Sequence, residues 1–336
     1  MILHPGILSL IAGSLIVTAM MGYSSLLGFM IIRKWDITSS SSEQLALERK
    51  TYLVSTIMNY VFGFEIISAL LFLYTVDDLH RIFVGAMCAT GSLNANPIGW
   101  YVLYTKIIIF FGCSIWLAFN YIDQRADDYP LVKIKYFMAS LLTPVIVLDT
   151  CLQLKYFMGL KPDIITSCCG SLFSESGQGI ASGLSSLPIK PTMMLFYAII
   201  ILFLLNAFSV LRFRTRILRY TLSISSVALF IISLAAVVSF ISLYFYEIPT
   251  HHCPFDILQA GYHFIGYPLY LSLFSGVFFG ILTGLMEPFK EISSLQSIII
   301  KYQKKWTLLS IGLIILFTLI ASWPIVFSSF TLEGYW

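Results

Sequence analysis

Residues 264–286 read FIGYPLYLSLFSGVFFGILTGLM, a run that contains no charged side chain. A helix rises about 1.5 Å per residue, so roughly 20 residues are enough to cross the hydrocarbon core of a bilayer. Seven further stretches are also apolar and longer than 20 residues: 7–32, 51–75, 100–122, 136–157, 191–211, 220–246 and 306–330. Three of them, 51–75, 100–122 and 136–157, contain charged residues. The sequence therefore predicts an all-α, polytopic integral membrane protein with about eight transmembrane helices.

The composition of the 336-residue chain supports this prediction. Hydrophobic residues make up 58% of the sequence and charged residues only 11%, whereas a soluble domain carries about 25% charged residues. No connection between the predicted helices exceeds about 35 residues, and no glycine-rich nucleotide-binding pattern is present. A soluble secreted protein, a nucleic-acid binder and a cytosolic enzyme are excluded as primary interpretations, so no nucleic-acid partner is expected.

The distribution of lysine and arginine predicts the orientation in the membrane. Of the 20 Lys and Arg residues, 15 fall in the connections 33–50, 123–135, 212–219 and 287–305, and only Arg81, Lys161 and Lys190 fall in the alternate connections. Cytoplasmic loops carry an excess of positive residues. We therefore expect both termini to be extracytoplasmic. The protein is predicted to be a multi-pass protein of the cell membrane (the inner membrane if the cell is Gram-negative). The lipid bilayer is its first expected partner.

The chain is predicted to form one transmembrane helical domain over 1–336. Within it, residues 288–305 combine four lysines with periodic apolar residues. This pattern predicts a cytoplasmic amphipathic helix that lies on the inner leaflet. The same segment is a candidate docking surface for a cytoplasmic partner.

Sulfur and imidazole side chains concentrate on the predicted extracytoplasmic side. Four of the six cysteines fall in outward connections, and they are Cys88, Cys168, Cys169 and Cys253. All five histidines fall on or beside that face, and they are His4, His80, His251, His252 and His263. The cysteines lie among Gly, Pro and Asn residues, which are typical of structured turns. The pattern predicts a shared extracytoplasmic Cys/His site.

Three interpretations of the outer cysteines stay open. The simplest is structural disulfides, because the extracytoplasmic side is oxidising and the cysteine count is even. Adjacent cysteines rarely bond to each other, so Cys168 and Cys169 would reach Cys88 and Cys253. A non-catalytic membrane scaffold held by such bridges would need no cofactor.

The second interpretation is a redox site. His251 and His252 beside Cys253, with the N-terminus of the following helix downstream, would lower the pKa of the thiol. Such a thiolate passes electrons through mixed disulfides, and Cys168, Cys169 and Cys88 would exchange disulfides with it. Membrane quinone and a redox partner in the membrane or outside the cytoplasm are the expected electron partners.

The third interpretation is a metal site. Thiolate ligands select soft ions, and imidazole suits copper and zinc. Cys88, Cys168, Cys169, His252 and Cys253 could supply the ligands, although their spacing matches no standard zinc motif. Soft metal ions and quinone are thus the two cofactor hypotheses.

Three ionisable residues lie inside predicted helices. Glu65, Lys106 and Asp149 each fall in the outer half of their helices when depth is estimated from helical rise. Charged side chains in the bilayer are costly and usually functional. A polar intramembrane layer formed by these three residues could be an ion-paired network, a proton relay or a ligand site, and a structural ion pair is the simpler alternative.

These observations give one leading hypothesis and two alternatives. The leading hypothesis is extracytoplasmic thiol–disulfide or electron transfer linked to membrane quinone, with Cys253 as nucleophile and the polar layer carrying protons. The first alternative is a transporter or permease subunit, for example for a soft metal, that uses the polar layer as its route. The second alternative is the non-catalytic scaffold.

Overall fold

A computed structural model describes residues 2–36, 39, 41–161, 165–166, 180–213 and 215–332. Within these ranges the regular elements are helices, and no β-sheet strand is formed. One parallel bridge joins Val84 to Ile165. The prediction of an all-α protein is therefore confirmed.

Eight helices are long and apolar enough to cross a membrane. In chain order they are α1 (Pro5–Lys34), α2 (Ser42–Asp78), α3 (Gly99–Asp123), α4 (Val132–Met158), α5 (Ile189–Phe213), α6 (Arg216–Tyr246), α7 (Gly266–Leu285) and α8 (Ser293–Phe327). Their number agrees with the sequence analysis, and the chain is a multi-pass membrane-helical protein. The side of each terminus and the identity of the membrane stay predictions.

Two helices begin earlier than the hydropathy pattern indicates. Helix α2 starts at Ser42 because the hydroxyl of Ser41 accepts a hydrogen bond from the backbone N–H of Gln44 at 3.2 Å, and so caps the first turn. Helix α8 starts at Ser293 and runs through residues 293–305 without a break. Much of the segment predicted as an interfacial helix is thus the first part of α8, and its position relative to a membrane stays a prediction.

The helices group into two compact units, and this grouping leaves the prediction of a single domain untested. Unit 1 consists of residues 1–78, 93–164 and 291–298 and contains α1 to α4. Each of these helices packs against two others, in the cyclic order α1, α2, α3, α4. The centre is apolar, and there the ring of Phe62 meets that of Trp116 edge to face at 4.8 Å.

Unit 2 consists of residues 79–92, 165–290 and 299–336 and contains α5, α6, α7 and most of α8. Glycines at every fourth position of α7 let its neighbours approach closely. A Cβ atom on Gly276 would lie 2.7 Å from Ile314 of α8, and one on Gly284 would lie 2.5 Å from the carbonyl oxygen of Arg219 in α6. The glycine pattern of residues 276–284 therefore serves packing within this unit.

Candidate functional site

Cys88 lies in unit 2 at the start of the short helix Ala89–Asn94. Its carbonyl oxygen accepts hydrogen bonds from the backbone N–H groups of Gly91 and Ser92, at 3.0 and 3.4 Å. Cys88 is completely buried. The turn that precedes it contains Gly85, whose φ of 86° favours glycine. The local sequence therefore fixes this cysteine in a tight turn.

Cys253 lies in the connection between α6 and α7, also in unit 2. Two tyrosine hydroxyls hold its loop by donating to backbone carbonyls: Tyr246 donates to Cys253 at 2.5 Å and Tyr270 donates to Pro254 at 2.6 Å. Gln259 adds a link by donating to the carbonyl of Met87 at 2.7 Å, next to Cys88. The two cysteine-bearing turns are therefore joined by backbone-directed hydrogen bonds.

The sulfur atoms of Cys88 and Cys253 are 3.3 Å apart. A disulfide bond is about 2.05 Å long, so the two side chains are present as thiols. Both have zero solvent exposure. The hydroxyl of Thr90, also buried, lies 3.5 Å from the sulfur of Cys253. The sequence analysis placed both cysteines in one site, and they do meet.

A carboxylate completes this cluster. The thiol of Cys253 donates to Oδ1 of Asp256 at 3.5 Å, and the other carboxylate oxygen of Asp256 contacts Nε2 of His251. Burial alone would raise the pKa of Asp256, but hydrogen bonds from His251, Cys88 and Cys253 outweigh it and hold the pKa below its ordinary value. Asp256 is therefore an anion that accepts hydrogen bonds from both thiols and from His251.

His252 has a different surrounding. Residues 237–241 of α6 form a π-helical turn, and Nδ1 of His252 lies 2.9 Å from the carbonyl oxygen of Val238 in that turn. A carbonyl can only accept, so Nδ1 of His252 carries a proton and donates to it. The histidine that contacts the carboxylate of the cluster is thus His251, whereas His252 is oriented by α6.

The structure tests the other predicted site residues only in part. Cys168 and Cys169 lie outside the described residues, so their proposed exchange with Cys88 and Cys253 stays a prediction. The described side chains that could hold a metal ion together are Cys88, Cys253 and Asp256, whose ligand atoms lie within 4.8 Å of one another. This set includes two residues of the predicted metal ligands and adds Asp256, which the sequence analysis gave no role.

The polar layer forms in unit 1. Nζ of Lys106 lies 2.7 Å from Oδ2 of Asp149 and 3.5 Å from Oε2 of Glu65. Thr105 donates to Asp149 at 2.6 Å, and Lys106 also donates to Ser68 at 3.2 Å. The three ionisable side chains belong to α2, α3 and α4 and are buried. Their estimated common depth is thus matched by direct contact.

Two further buried ion pairs were missed by the sequence analysis. Lys135 lies 2.7 Å from Asp123 in unit 1, and Arg219 lies 2.6 Å from Glu287 in unit 2. Lys135 and Arg219 fall in predicted connections and were counted among the cytoplasmic charges. Helices α4 and α6 begin before the predicted starts at residues 136 and 220. An earlier predicted start of each helix is the one feature that would have indicated that Lys135 and Arg219 are buried.

No family model, no curated protein and no solved structure matches this chain. The functional assignment therefore depends on its own residues.

Proposed function

We propose that the protein is a membrane thiol–disulfide redox protein in which Cys88 and Cys253 form a reversible disulfide. The observation that carries the proposal is the contact of two buried sulfur atoms at 3.3 Å beside a carboxylate that accepts from both thiols. A thiolate is the reactive form of cysteine, so a proton acceptor at the sulfur is what the chemistry requires. The acceptor in this proposal is the Asp256–His251 pair, whose carboxylate lies against the thiol of Cys253.

The proposed reaction balances with a quinone as the oxidant. The thiol of Cys253 gives its proton to the Asp256–His251 pair, and the thiol of Cys88 loses its proton as the S–S bond forms. Two electrons leave the sulfur atoms and two protons leave the thiols, and the quinone takes up two of each to become a hydroquinone. Re-reduction through Cys168 and Cys169, which are proposed to exchange with an extracytoplasmic dithiol, would return the pair to its starting state.

The burial of the pair favours a small oxidant over a protein. Both cysteines are fully buried, so a thiolate on a second protein reaches neither sulfur in this conformation. A quinone is dissolved in the bilayer that surrounds the helices. Cys168 and Cys169 are proposed to pass electrons between the buried pair and outside dithiols.

Differential thiol labelling of the purified protein tests this proposal. The sample is oxidised with a soluble quinone and then denatured, so that the blocking reagent reaches all remaining thiols, including buried ones. It is then reduced and labelled with a heavier reagent, and peptides are mapped by mass spectrometry. We expect the heavy label on Cys88 and Cys253, and its loss from Cys88 in the Cys253→Ser variant. Cys151, which is exposed, serves as the matched control through Cys151→Ser.

Two outcomes would contradict the redox proposal. Light label on both cysteines after oxidation would show that no disulfide forms. A Cys88–Cys253 disulfide that persists under reductant strong enough to reduce accessible bonds would instead support the structural scaffold.

A soft metal ion is the second candidate, because the two sulfur atoms and a carboxylate oxygen lie within 4.8 Å of one another. Two thiolates and a carboxylate are ligands that suit zinc or a related ion, with a fourth ligand still to be supplied. The purified protein would be loaded with zinc and its metal content measured by mass spectrometry. About one ion per chain, lost in both Cys88→Ser and Asp256→Asn, would favour this candidate over the redox pair.

A further inference from the structure

The intramembrane triad of unit 1 does not balance its charges. It combines the two carboxyl groups of Glu65 and Asp149 with the single ammonium group of Lys106, and the side chains are 1 to 2% exposed. Lys106 can neutralise one carboxylate only. If both acids were ionised, the buried site would carry one uncompensated negative charge.

The contacts show which acid Lys106 neutralises. Lys106 lies 2.7 Å from Asp149 but 3.5 Å from Glu65. Asp149 also accepts a short hydrogen bond of 2.6 Å from Thr105, whereas Glu65 accepts one of 3.3 Å from Ser68. Charge-assisted hydrogen bonds are strongest when short. Asp149 is therefore the ionised partner of Lys106, and Glu65 is the acid with the weaker stabilisation.

Within the described part of the chain, no other charged neighbour compensates Glu65. Among the described residues, the ionisable groups that act on it are Lys106, Asp149 and the thiol of Cys113. Helix α1, which packs against α2, carries no charged residue between His4 and Arg33. An ionised carboxylate is strongly disfavoured when it is moved from water to such a site without a partner, and a bound proton removes the charge that causes this penalty.

We propose that Glu65 is an intramembrane proton-binding site, which holds a proton while Asp149 is paired with Lys106. Two carboxyl groups that share one site cannot both ionise easily, so one keeps its proton. The ligand is the proton itself. This site is in unit 1 and does not depend on the thiol chemistry proposed for unit 2.

Polar side chains indicate the side from which the proton arrives. Gln153, one helical turn beyond Asp149, donates to Ser14 at 2.7 Å, and Thr18 contacts Thr150 at 2.8 Å. Oε1 of Gln153 is buried without a hydrogen-bond partner. A water molecule at such an atom would extend a path from Asp149 toward the predicted extracytoplasmic end.

The opposite direction is blocked by apolar side chains. Phe62 and Trp116 pack at 4.8 Å, with Met58 in the same apolar cluster. Further along α2 and α3 in that direction, Asn120 donates a hydrogen bond to Asn59 at 2.9 Å. Glu65 should therefore exchange its proton with the extracytoplasmic side in this conformation.

A hydrophobic carbodiimide tests the protonation state, because it modifies protonated carboxyl groups inside a membrane protein. The full-length protein in lipid vesicles is labelled near neutral pH and its peptides are mapped by mass spectrometry. We expect the adduct on Glu65 and none on Asp149. The exposed Glu43 of the same helix gives the matched control, since Glu43→Gln should leave the labelling of Glu65 unchanged.

A second variant gives the sharper result. Asp149→Asn removes the competing carboxylate, so Lys106 becomes available to Glu65, which should then ionise and lose the label. One unit of pKa change alters the protonated fraction about tenfold, so a tenfold or greater drop is the expected effect. Undiminished labelling of Glu65 in this variant, or absence of label on Glu65 in the wild type, would overturn the proposal.

Two additional arms separate the rival explanations. Protection of Glu65 by sodium ions at constant pH would assign the site to a metal cation and overturn the proton assignment. Cys88→Ser should leave the labelling of Glu65 unchanged. Failure of the thiol experiment and failure of the carboxyl experiment are therefore distinguishable.

Discussion

Formation of the Cys88–Cys253 disulfide should stabilise the protein measurably. The two cysteines are separated by 165 residues in the sequence. A cross-link over a loop of this length removes chain entropy from the unfolded state, and the loop-length relation gives about 5 kcal/mol. The sulfur atoms must approach by about 1.3 Å to form the bond, a movement that side-chain rotation can supply.

The unfolded chain of the reduced protein already lacks part of this conformational entropy. Helices α3 to α6 lie between the cysteines in sequence, and membrane-spanning helices that stay helical in detergent restrict the unfolded chain. The figure of about 5 kcal/mol is therefore an upper bound. We expect the oxidised protein to exceed the reduced protein by about 2–5 kcal/mol in free energy of unfolding, the range of native disulfides.

Denaturant titration in detergent, followed by tryptophan fluorescence, measures this difference in matched oxidised and reduced samples. Cys88→Ala should abolish the dependence on redox state, whereas Cys151→Ser should preserve it. The reasoning would be refuted by a difference below about 0.5 kcal/mol in the wild type while labelling shows complete disulfide formation. It would be refuted equally by an undiminished difference in Cys88→Ala.

Three further perturbations follow from the described contacts. Gly284→Ala should destabilise unit 2 by about 1–3 kcal/mol in denaturant titration, because its Cβ would lie 2.5 Å from a backbone carbonyl of α6. Gly63→Ala, with nothing within 4 Å of the added Cβ, should be neutral or stabilising in the same titration. Lys106→Met leaves Asp149 buried without its ion partner and should lower the free energy of unfolding by about 3–5 kcal/mol. Lys155→Met, on the exposed surface of α4, should lower it little. Equal losses of stability in the two variants would contradict the role of the triad. Because the folded pKa of Asp256 is below its ordinary value of 3.8, its stabilising contribution is present above about pH 4 and lost as pH falls through the folded pKa. Unfolding measured across acidic pH should show a smaller loss in Asp256→Asn, and an identical pH profile would exclude this contribution.

The number and type of the helices could be predicted because the bilayer requires long uncharged segments. Their limits could not, because hydropathy does not detect helical turns made of charged residues. Residues 42–50 of α2 and 293–305 of α8 contain many charged or polar side chains. Residues 42–50 were assigned to a connection, although a hydroxyl cap at Ser41 and the absence of Pro and Gly favour helix there. Residues 293–305 were predicted as part of a separate amphipathic helix over 288–305, whereas they form the first turns of α8.

The candidate sites were predictable to different degrees. Glu65, Lys106 and Asp149 stand out because charges are rare in apolar segments, and helical rise places them at similar depth. Cys88 and Cys253 were grouped because they share a predicted membrane face; their sulfur atoms are in contact, while the face itself stays a prediction. Asp256 was missed because an acid in a loop carries no burial signal; its distance of three residues from Cys253 in a tight turn is the feature that would have indicated contact.

The π-helical turn at residues 237–241 changes what a deletion would do to α6. A π turn contains one residue more than the α-helical turn it replaces, so removal of one residue there would convert the segment to regular α-helix and keep the flanking faces in phase. The carbonyl that orients His252 would lose its position in the process. A one-residue deletion in this turn should therefore preserve the folded bundle but break the hydrogen bond between His252 and α6. Such a deletion separates the effect of helix packing from the effect of imidazole orientation more cleanly than replacement of the histidine.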